Sequence, residues 1–186
     1  IGRRVGLKHQ WCKPCRFDPG SGHYKPFKNL ERFCILQPFS KFKMTAEKKE
    51  KYDRAYLRMA VEWSQLSHCK RKQVGALIVK NKMIISDGYN GTPSGFENYC
   101  EDDNGETKWY VLHAEANAIL KTASSTHNCS KGTLYLTMSP CRDCSKLIHQ
   151  SGITRLVYLN KYSDTSGIEF LKEAGVEVVE FDKKKL

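Results

Sequence analysis

Residues 44–186 predict an α/β layered domain built on a mixed sheet of about five strands. Three observations lead there. The segment opens with an amphipathic helical stripe, continues with two β-rich runs around a short turn, and closes with a strand–helix–strand alternation. The β-rich runs read as an antiparallel hairpin, and the closing unit implies a parallel pair joined by a right-handed crossover.

From Thr45 to about Ser67, the residues Tyr52, Ala55, Tyr56, Met59, Ala60, Trp63 and Leu66 recur at three- and four-residue spacing, one apolar stripe of a helix. Thr45 is its expected N-cap, with Glu47 following. Val74-Gly75-Ala76-Leu77-Ile78-Val79 and Met83-Ile84-Ile85-Ser86 flank Lys80-Asn81-Lys82 as a hairpin. Gly88-Tyr89-Asn90-Gly91-Thr92-Pro93-Ser94-Gly95 is turn-dense; its glycines let the backbone approach a ligand, and its amides can cradle an anion. Residues 96–110 are polar and irregular, a length typical of a functional or mobile loop.

A helix from His113 to about Ala123 is rich in alanine, which suits tight packing on a sheet. Thr133 to Met138 is a strand. Ser139 is the expected N-cap of the next helix, with Pro140 at its first position, so that Cys141, Cys144 and Leu147/Ile148 share a face. Arg155 to Leu159 is a strand, Thr165 to Ala174 a helix closed by Gly175, and Val176 to Phe181 a last strand before a lysine-rich tail.

At 186 residues the chain is long enough for one domain with a substantial core. No apolar run approaches the ~20 residues of a membrane span, and the N-terminus lacks the apolar centre of a signal peptide. The expected location is the cytoplasm. The net charge of +11 is unevenly placed: residues 1–43 hold 10 Lys and Arg against 2 acidic residues, leaving 21 against 18 for the rest. A nucleic-acid partner is therefore not expected of the body. Residues 1–43 show no sustained periodicity and read as a basic leader, disordered or extraneous to the natural protein, with the domain beginning at Met44. Trp11-Cys12-Lys13-Pro14-Cys15 has redox-motif spacing but is followed by a turn-rich break where that motif needs a helix.

The chemistry gathers in two segments: His113-Ala114-Glu115 and, 28 residues after the histidine, Pro140-Cys141-Arg142-Asp143-Cys144. One imidazole and two thiols make His113, Cys141 and Cys144 candidate zinc ligands. A structural zinc usually takes four protein ligands, whereas three leave a position for water, the mark of a catalytic site. Glu115 is the candidate acid/base and proton shuttle. The pattern H-x-E…P-C-x-x-C is the signature of zinc nucleobase deaminases, in which the glutamate is not a ligand. Helix N-termini at His113 and near Cys141 would favour thiolates. Of the eight cysteines, Cys69, Cys100 and Cys129 are expected as reduced side chains. Cys69 and Cys100 are also candidates for a second structural zinc, although no histidine stands at a helpful spacing.

Residues 44–186 resemble the deoxycytidylate (dCMP) deaminases, a branch of the cytidine deaminase superfamily. The resemblance is carried by Val74-Gly75-Ala76, Gly88-Tyr89-Asn90-Gly91-Thr92-Pro93, His113-Ala114-Glu115-Ala116-Asn117-Ala118-Ile119, Ser139-Pro140-Cys141-Arg142-Asp143-Cys144 and Ser151-Gly152-Ile153. It covers nearly all of the body and none of residues 1–43. It implies a three-layer α/β/α fold and zinc-dependent hydrolytic deamination of dCMP to dUMP, feeding thymidylate synthesis. It also implies a homo-oligomer, commonly a hexamer, activated by dCTP and inhibited by dTTP, with Mg²⁺ beside the triphosphate.

Among site residues, the resemblance implies that Asn90 contacts the nucleotide and that the loop of residues 90–95, Gly91 included, lines substrate or effector sites. It places the Ala114 amide against the pyrimidine carbonyl and Tyr162 near the base. Some members hold a second zinc in an insertion before the His-x-Glu, and that region is short here. A tRNA adenosine deaminase shares the zinc core, but the Gly-Tyr-Asn-Gly-x-Pro segment and Asn117 favour the mononucleotide branch. A non-catalytic zinc module that binds nucleic acid is the reading of a different class, supported by the basic leader and tail.

Overall fold

The computed structural model describes residues 44–186; the readings made of residues 1–43, the Cys12/Cys15 motif included, lie outside the described residues. In chain order the elements are α1 (Ala46–Ser64), β1 (Gly75–Lys80), β2 (Met83–Tyr89), α2 (Ala114–Thr122), β3 (Thr133–Met138), α3 (Arg142–Gln150), β4 (Arg155–Asn160), α4 (Ser166–Glu173) and β5 (Glu177–Glu180), with a 3-10 turn at Lys183–Lys185. The strands form one mixed sheet in the order β2-β1-β3-β4-β5. β1 is antiparallel to both β2 and β3, while β3, β4 and β5 run parallel.

The expected α/β/α layering is present, and strand periodicity explains it. Successive side chains on a strand point to opposite faces. Ala76, Ile78, Leu134, Leu136, Leu156 and Tyr158 face a core shared with α2, α3 and α4. Their neighbours Leu77, Val79, Tyr135, Val157 and Leu159 face a second core under α1. Covering both faces is why β1 and β4 read as continuous apolar runs rather than alternations.

The hairpin closes as expected. Asn81 and Lys82 both take positive φ (52° and 64°), the pair of left-handed residues that a two-residue turn needs to match strand twist. β2 extends through Gly88 and Tyr89, which the sequence assigns to the following loop.

Two expectations are corrected. The buried face of α1 is Asp53, Leu57, Ala60 and Ser64, with Tyr56 and Trp63 at its flank; Ala55, Met59 and Leu66 lie exposed. An apolar count could not find this face because one of its members is a carboxylate. Asp53 receives both terminal guanidinium nitrogens of Arg155 at 2.7 Å and the Tyr135 hydroxyl at 2.8 Å. The second correction is at α3, whose N-cap position is Cys141 rather than Ser139, with no side-chain capping bond, while the Ser139 hydroxyl is engaged with the Tyr162 amide.

The buried Asp53–Arg155–Tyr135 cluster ties α1 to β3 and β4. Removing one partner of a buried ion pair leaves the other charge unpaired. Asp53→Ala is expected to lose about 3–5 kcal/mol of stability, measured as a lowered midpoint in urea unfolding.

Candidate active site

The mixed topology brings four strand ends to one edge. β3 and β4 are parallel and finish there; β1, antiparallel to β3, begins there; and β2, antiparallel to β1, ends there. The side chain of Thr137 fastens this edge by accepting a hydrogen bond from the Gly75 amide at 3.0 Å. Loops leaving such an edge form a crevice, the usual place for a ligand in open α/β sheets.

Two helices start at the crevice. His113 is the N-cap residue of α2, with extended backbone (φ −72°, ψ 155°), and Cys141 is that of α3 (φ −74°, ψ 173°). Neither side chain caps its own helix, so both are free for other chemistry. His113 Nδ1 lies 3.5 Å from Cys141 Sγ and 3.4 Å from Cys144 Sγ. The three ligating atoms all fall within 4.8 Å of one another. An imidazole nitrogen and two sulfurs this close are a donor set that fits zinc.

Close packing holds both helix starts in place. A Cβ on Gly88 would sit 2.4 Å from the Ala114 carbonyl oxygen and 2.6 Å from the Ala118 amide, so α2 rests directly on the β2 backbone. A Cβ on Gly167 would meet Ser145 Oγ at 2.6 Å and the Pro140 and Cys141 carbonyls at 2.7 and 2.9 Å. Thus α4 braces the Pro-Cys turn. Ser139 Oγ accepts from the Tyr162 amide at 2.8 Å, tying the β4–α4 loop to the same turn.

His113, Cys141 and Ser139 line one cleft of about 390 Å³, together with Ala114, Glu115, Asn90 and Tyr162. Glu115 is 4% exposed, and burial pushes its carboxyl up to about 7, against the opposing pull of a backbone hydrogen bond and the His113 charge. A carboxyl poised there can both take and release a proton at neutral pH. Hydrogen bonds from Cys144 and His113 pull the Cys141 thiol down to about 4, whereas Cys144, bonded to Cys141 and buried, is pushed up.

Of the residues expected at the site, His113, Ala114, Glu115, Cys141, Asn90 and Tyr162 all line the cleft, and buried Cys144 joins His113 and Cys141 in the cluster without lining it. Gly91 does not; its amide and carbonyl pair with Leu112, and it lines a neighbouring cavity of about 220 Å³ with His68, Thr92, Asn117 and Lys121. The Asn90 side chain is occupied by backbone, accepting from the Val74 amide at 2.7 Å and donating to the Lys72 carbonyl at 2.8 Å. Sequence reasoning missed Arg71 and Lys72, which form a basic wall of the cleft. Their signal was the run Lys70-Arg71-Lys72 before β1, averaged away in the mild charge of the body.

The expectation that Cys69 and Cys100 are reduced side chains is also corrected. They are joined in a disulfide with Cα atoms 5.0 Å apart, while Cys129 is free and buried. The cause is the fold of residues 96–110, which turn back so that Glu101 Oε1 accepts from the Lys70 and Arg71 amides at 2.8 and 3.1 Å. Thirty-one residues of sequence separation hid that contact. Among the described residues, the His113–Cys141–Cys144 group is the one cluster of its kind.

With this geometry in view, comparison with known proteins is direct. The family model for the cytidine and deoxycytidylate deaminase zinc-binding region matches residues 50–160, a span that includes His113, Glu115, Cys141 and Cys144. This chain belongs to the cytidine and deoxycytidylate deaminase family. It is 35% identical over 173 residues to the deoxycytidylate deaminase of Enterobacteria phage T4, covering 70% of this chain and 90% of that protein. It is 35% identical over 147 residues to the Mus musculus deoxycytidylate deaminase, covering 69% and 79%. Among solved structures, the dCMP deaminase of cyanophage S-TIM5 in complex with dCMP and dUMP is similar, at 47% identity and a TM-score of 0.69, covering 74% of this chain and 99% of that one.

The cluster makes a direct expectation for metal content. The protein is expected to carry one zinc per chain by elemental analysis, and His113→Ala or Cys144→Ala to bring that close to zero.

Proposed function

We propose that this protein is a zinc-dependent dCMP deaminase that converts dCMP and water into dUMP and ammonia, with residues 44–186 as its deaminase domain. The observation that carries the reading is the His113–Cys141–Cys144 cluster, which meets the cleft through His113 and Cys141 beside a buried carboxyl, Glu115. The similarity to deoxycytidylate deaminases over most of their length, and to a structure in complex with dCMP and dUMP, supports the choice of substrate.

His113 Nδ1 and the sulfurs of Cys141 and Cys144 would hold the zinc, which supplies Lewis acidity that makes water nucleophilic near neutral pH. Glu115 does the proton work. Its carboxylate takes a proton from the water that attacks C4 of the pyrimidine and passes it to ring nitrogen N3. It then takes the second proton from the new C4 hydroxyl and delivers it to the departing amino group, which leaves as ammonia as the C4 carbonyl forms. Burial tunes Glu115 for both directions, since its affinity for a proton matches neutral pH. On this reading the Ala114 amide, at the first position of α2, would meet the pyrimidine carbonyl and Tyr162 would stand near the base; that both residues line the cleft supports these roles. Asn90 lines the nucleotide cleft.

The same reading carries regulation by dCTP and dTTP with Mg²⁺ beside the triphosphate, a homo-oligomeric assembly and a cytoplasmic setting that feeds thymidylate synthesis. The cavity bounded by Gly91, Thr92, His68 and Lys121 adjoins the loop of residues 90–95, and that position supports an effector role for the loop.

The test is ammonia release from dCMP, dCTP, cytidine and tRNA adenosine, with and without dCTP as effector. Release from dCMP is expected; release from tRNA adenosine instead would overturn the reading, and release from none would favour a non-catalytic module. Glu115→Gln is expected to keep its zinc and lose turnover by about 10²–10⁴-fold. A zinc-loaded Gln variant with wild-type turnover would remove Glu115 from the mechanism.

A further inference from the structure

Residues 96–110 lie outside any helix or strand, yet they build part of the cleft. Glu101 and Thr107 line it with His113 and Glu115, and the chain runs on through Val111, a further lining residue, to His113. What fastens this loop to the body is narrow. Apart from the bonds at its two ends, to the Pro93 carbonyl and from the Val111 amide, its hydrogen bonds to the rest of the described residues all go to Lys70 and Arg71. The Lys70 and Arg71 amides donate to Glu101 Oε1 at 2.8 and 3.1 Å, and the Arg71 guanidinium donates to Glu106 at 2.9 Å. All three bonds are exposed, where water competes for the same groups. The remaining tie is covalent and adjoins them, the disulfide between Cys69 and Cys100, 31 residues apart in sequence.

That disulfide sits between two cavities. Cys69 lines the cleft that holds His113 and Glu115, and Cys100 lines the neighbouring cavity with His68, Gly91 and Asn117. Both cysteines are buried, so a reagent reaches the bond through the cleft, on the Cys69 side. Among the described residues it is the one disulfide, and the free cysteines are Cys129 and the two of the metal cluster. In the cytoplasmic setting that the proposed function carries, thiols are kept reduced, and a disulfide found there is usually transient and redox-sensing rather than structural.

We propose that Cys69 and Cys100 are a site of reversible thiol–disulfide exchange that controls the order of the cleft wall, with a small dithiol as reductant. One thiolate of the dithiol attacks Cys69 Sγ, the S–S bond breaks, and Cys100 leaves as a thiolate that takes up a proton. The second thiolate of the reductant then attacks the reductant's own sulfur in the mixed disulfide, and Cys69 leaves and is protonated in turn. Two electrons and two protons pass to the protein, and the reductant becomes a cyclic disulfide. Oxidised glutathione drives the reverse exchange. With the bond open, residues 96–110 keep only exposed polar ties to the body. The loop then gains conformational freedom, and a smaller fraction of the protein holds Glu101, Thr107 and Val111 in place. The effect on turnover rests on the deaminase reading above; the effect on the loop does not.

The experiment compares the zinc-loaded full chain as isolated, after dithiothreitol treatment and removal of the reagent, and after reoxidation with oxidised glutathione. A Cys69→Ser/Cys100→Ser variant is carried through the same steps, and zinc content is measured at each. The readouts are iodoacetamide labelling of Cys69 and Cys100, the rate of tryptic cleavage after Lys108, and kcat/KM for dCMP. Reduction is expected to expose both thiols to labelling, to speed the cleavage by about tenfold or more, and to lower kcat/KM by about threefold or more, chiefly through KM. Reoxidation restores all three, and the double variant matches the reduced protein and ignores the dithiol. The wild-type arms decide the matter where that variant does not fold. Labelling of both thiols in the protein as isolated in air overturns the proposal. Cleavage unchanged on reduction also overturns it, as do turnover unchanged in an active wild type and a response to dithiol that persists in the double variant. A second zinc per chain in the reduced protein, absent from the double variant, overturns it as well, since the pair would then be metal ligands. A wild type inactive on dCMP defeats the deaminase reading alone, and cleavage after Lys108 then decides the exchange site.

Discussion

The site depends on how closely α2 can approach the sheet. At Gly88 the β2 backbone leaves no room for a Cβ between itself and the first turn of α2. That contact sets the depth of Ala114 and Glu115, and with them His113 one residue earlier. The same device recurs where α1 crosses β1, since a Cβ on Gly75 would fall 2.0 Å from the Ala60 carbonyl oxygen. Larger residues at either position would lift a helix from the sheet, and ligands must be held to a few tenths of an ångström to bind a metal well. Close packing therefore contributes to chemistry here as well as to stability.

The mixed sheet supplies the other half of the constraint. An all-parallel arrangement would send β1 and β3 the same way and put the start of β1 at the far edge. Because β1 is antiparallel to β3, the segment just before β1 joins the ends of β2, β3 and β4. One cleft thus receives Lys72 and Val74 from before β1, Asn90 from after β2, Met138 and Ser139 from the end of β3 and Tyr162 from after β4. The side chain of Asn90 bonds backbone on the segment before β1, so two of these approaches are fastened directly to each other.

The elements were legible in the sequence wherever periodicity or turn chemistry had one reading. Thr45 does cap α1, accepting from the Lys48 amide; β3 spans the residues expected of it; and Gly175, at φ 79°, follows α4. The His113–Cys141–Cys144 cluster was legible because its members belong to two short motifs. What escaped was set by contacts distant in sequence. Asp53 belongs to a buried helix face because Arg155, 102 residues away, makes its burial tolerable. Cys69 meets Cys100 because an irregular loop folds back, and no pattern within that loop encodes its path. Ser139 fails to cap α3 because Tyr162, on another loop, uses its hydroxyl. Each of these three misses was a polar or sulfur side chain whose partner lies beyond any local window.

Two buried carboxylates show how environment separates structure from chemistry in one small domain. Asp53 and Glu115 are nearly equally hidden, at 5% and 4% exposure. Asp53 is met by a guanidinium on both oxygens and by a phenol, so its charge is neutralised and fixed between α1 and the sheet. Glu115 has no Lys or Arg within ion-pairing distance among the described residues, and burial, with a smaller push from Cys141, raises its proton affinity toward neutrality. A charge left without a counter-cation in a dry site destabilises a fold, and a protein optimised only for stability would not keep it. Under the proposed deaminase function, its presence beside the His113–Cys141–Cys144 cluster is accounted for by a proton that must move, because a carboxylate locked in an ion pair holds its proton too weakly to serve as an acid.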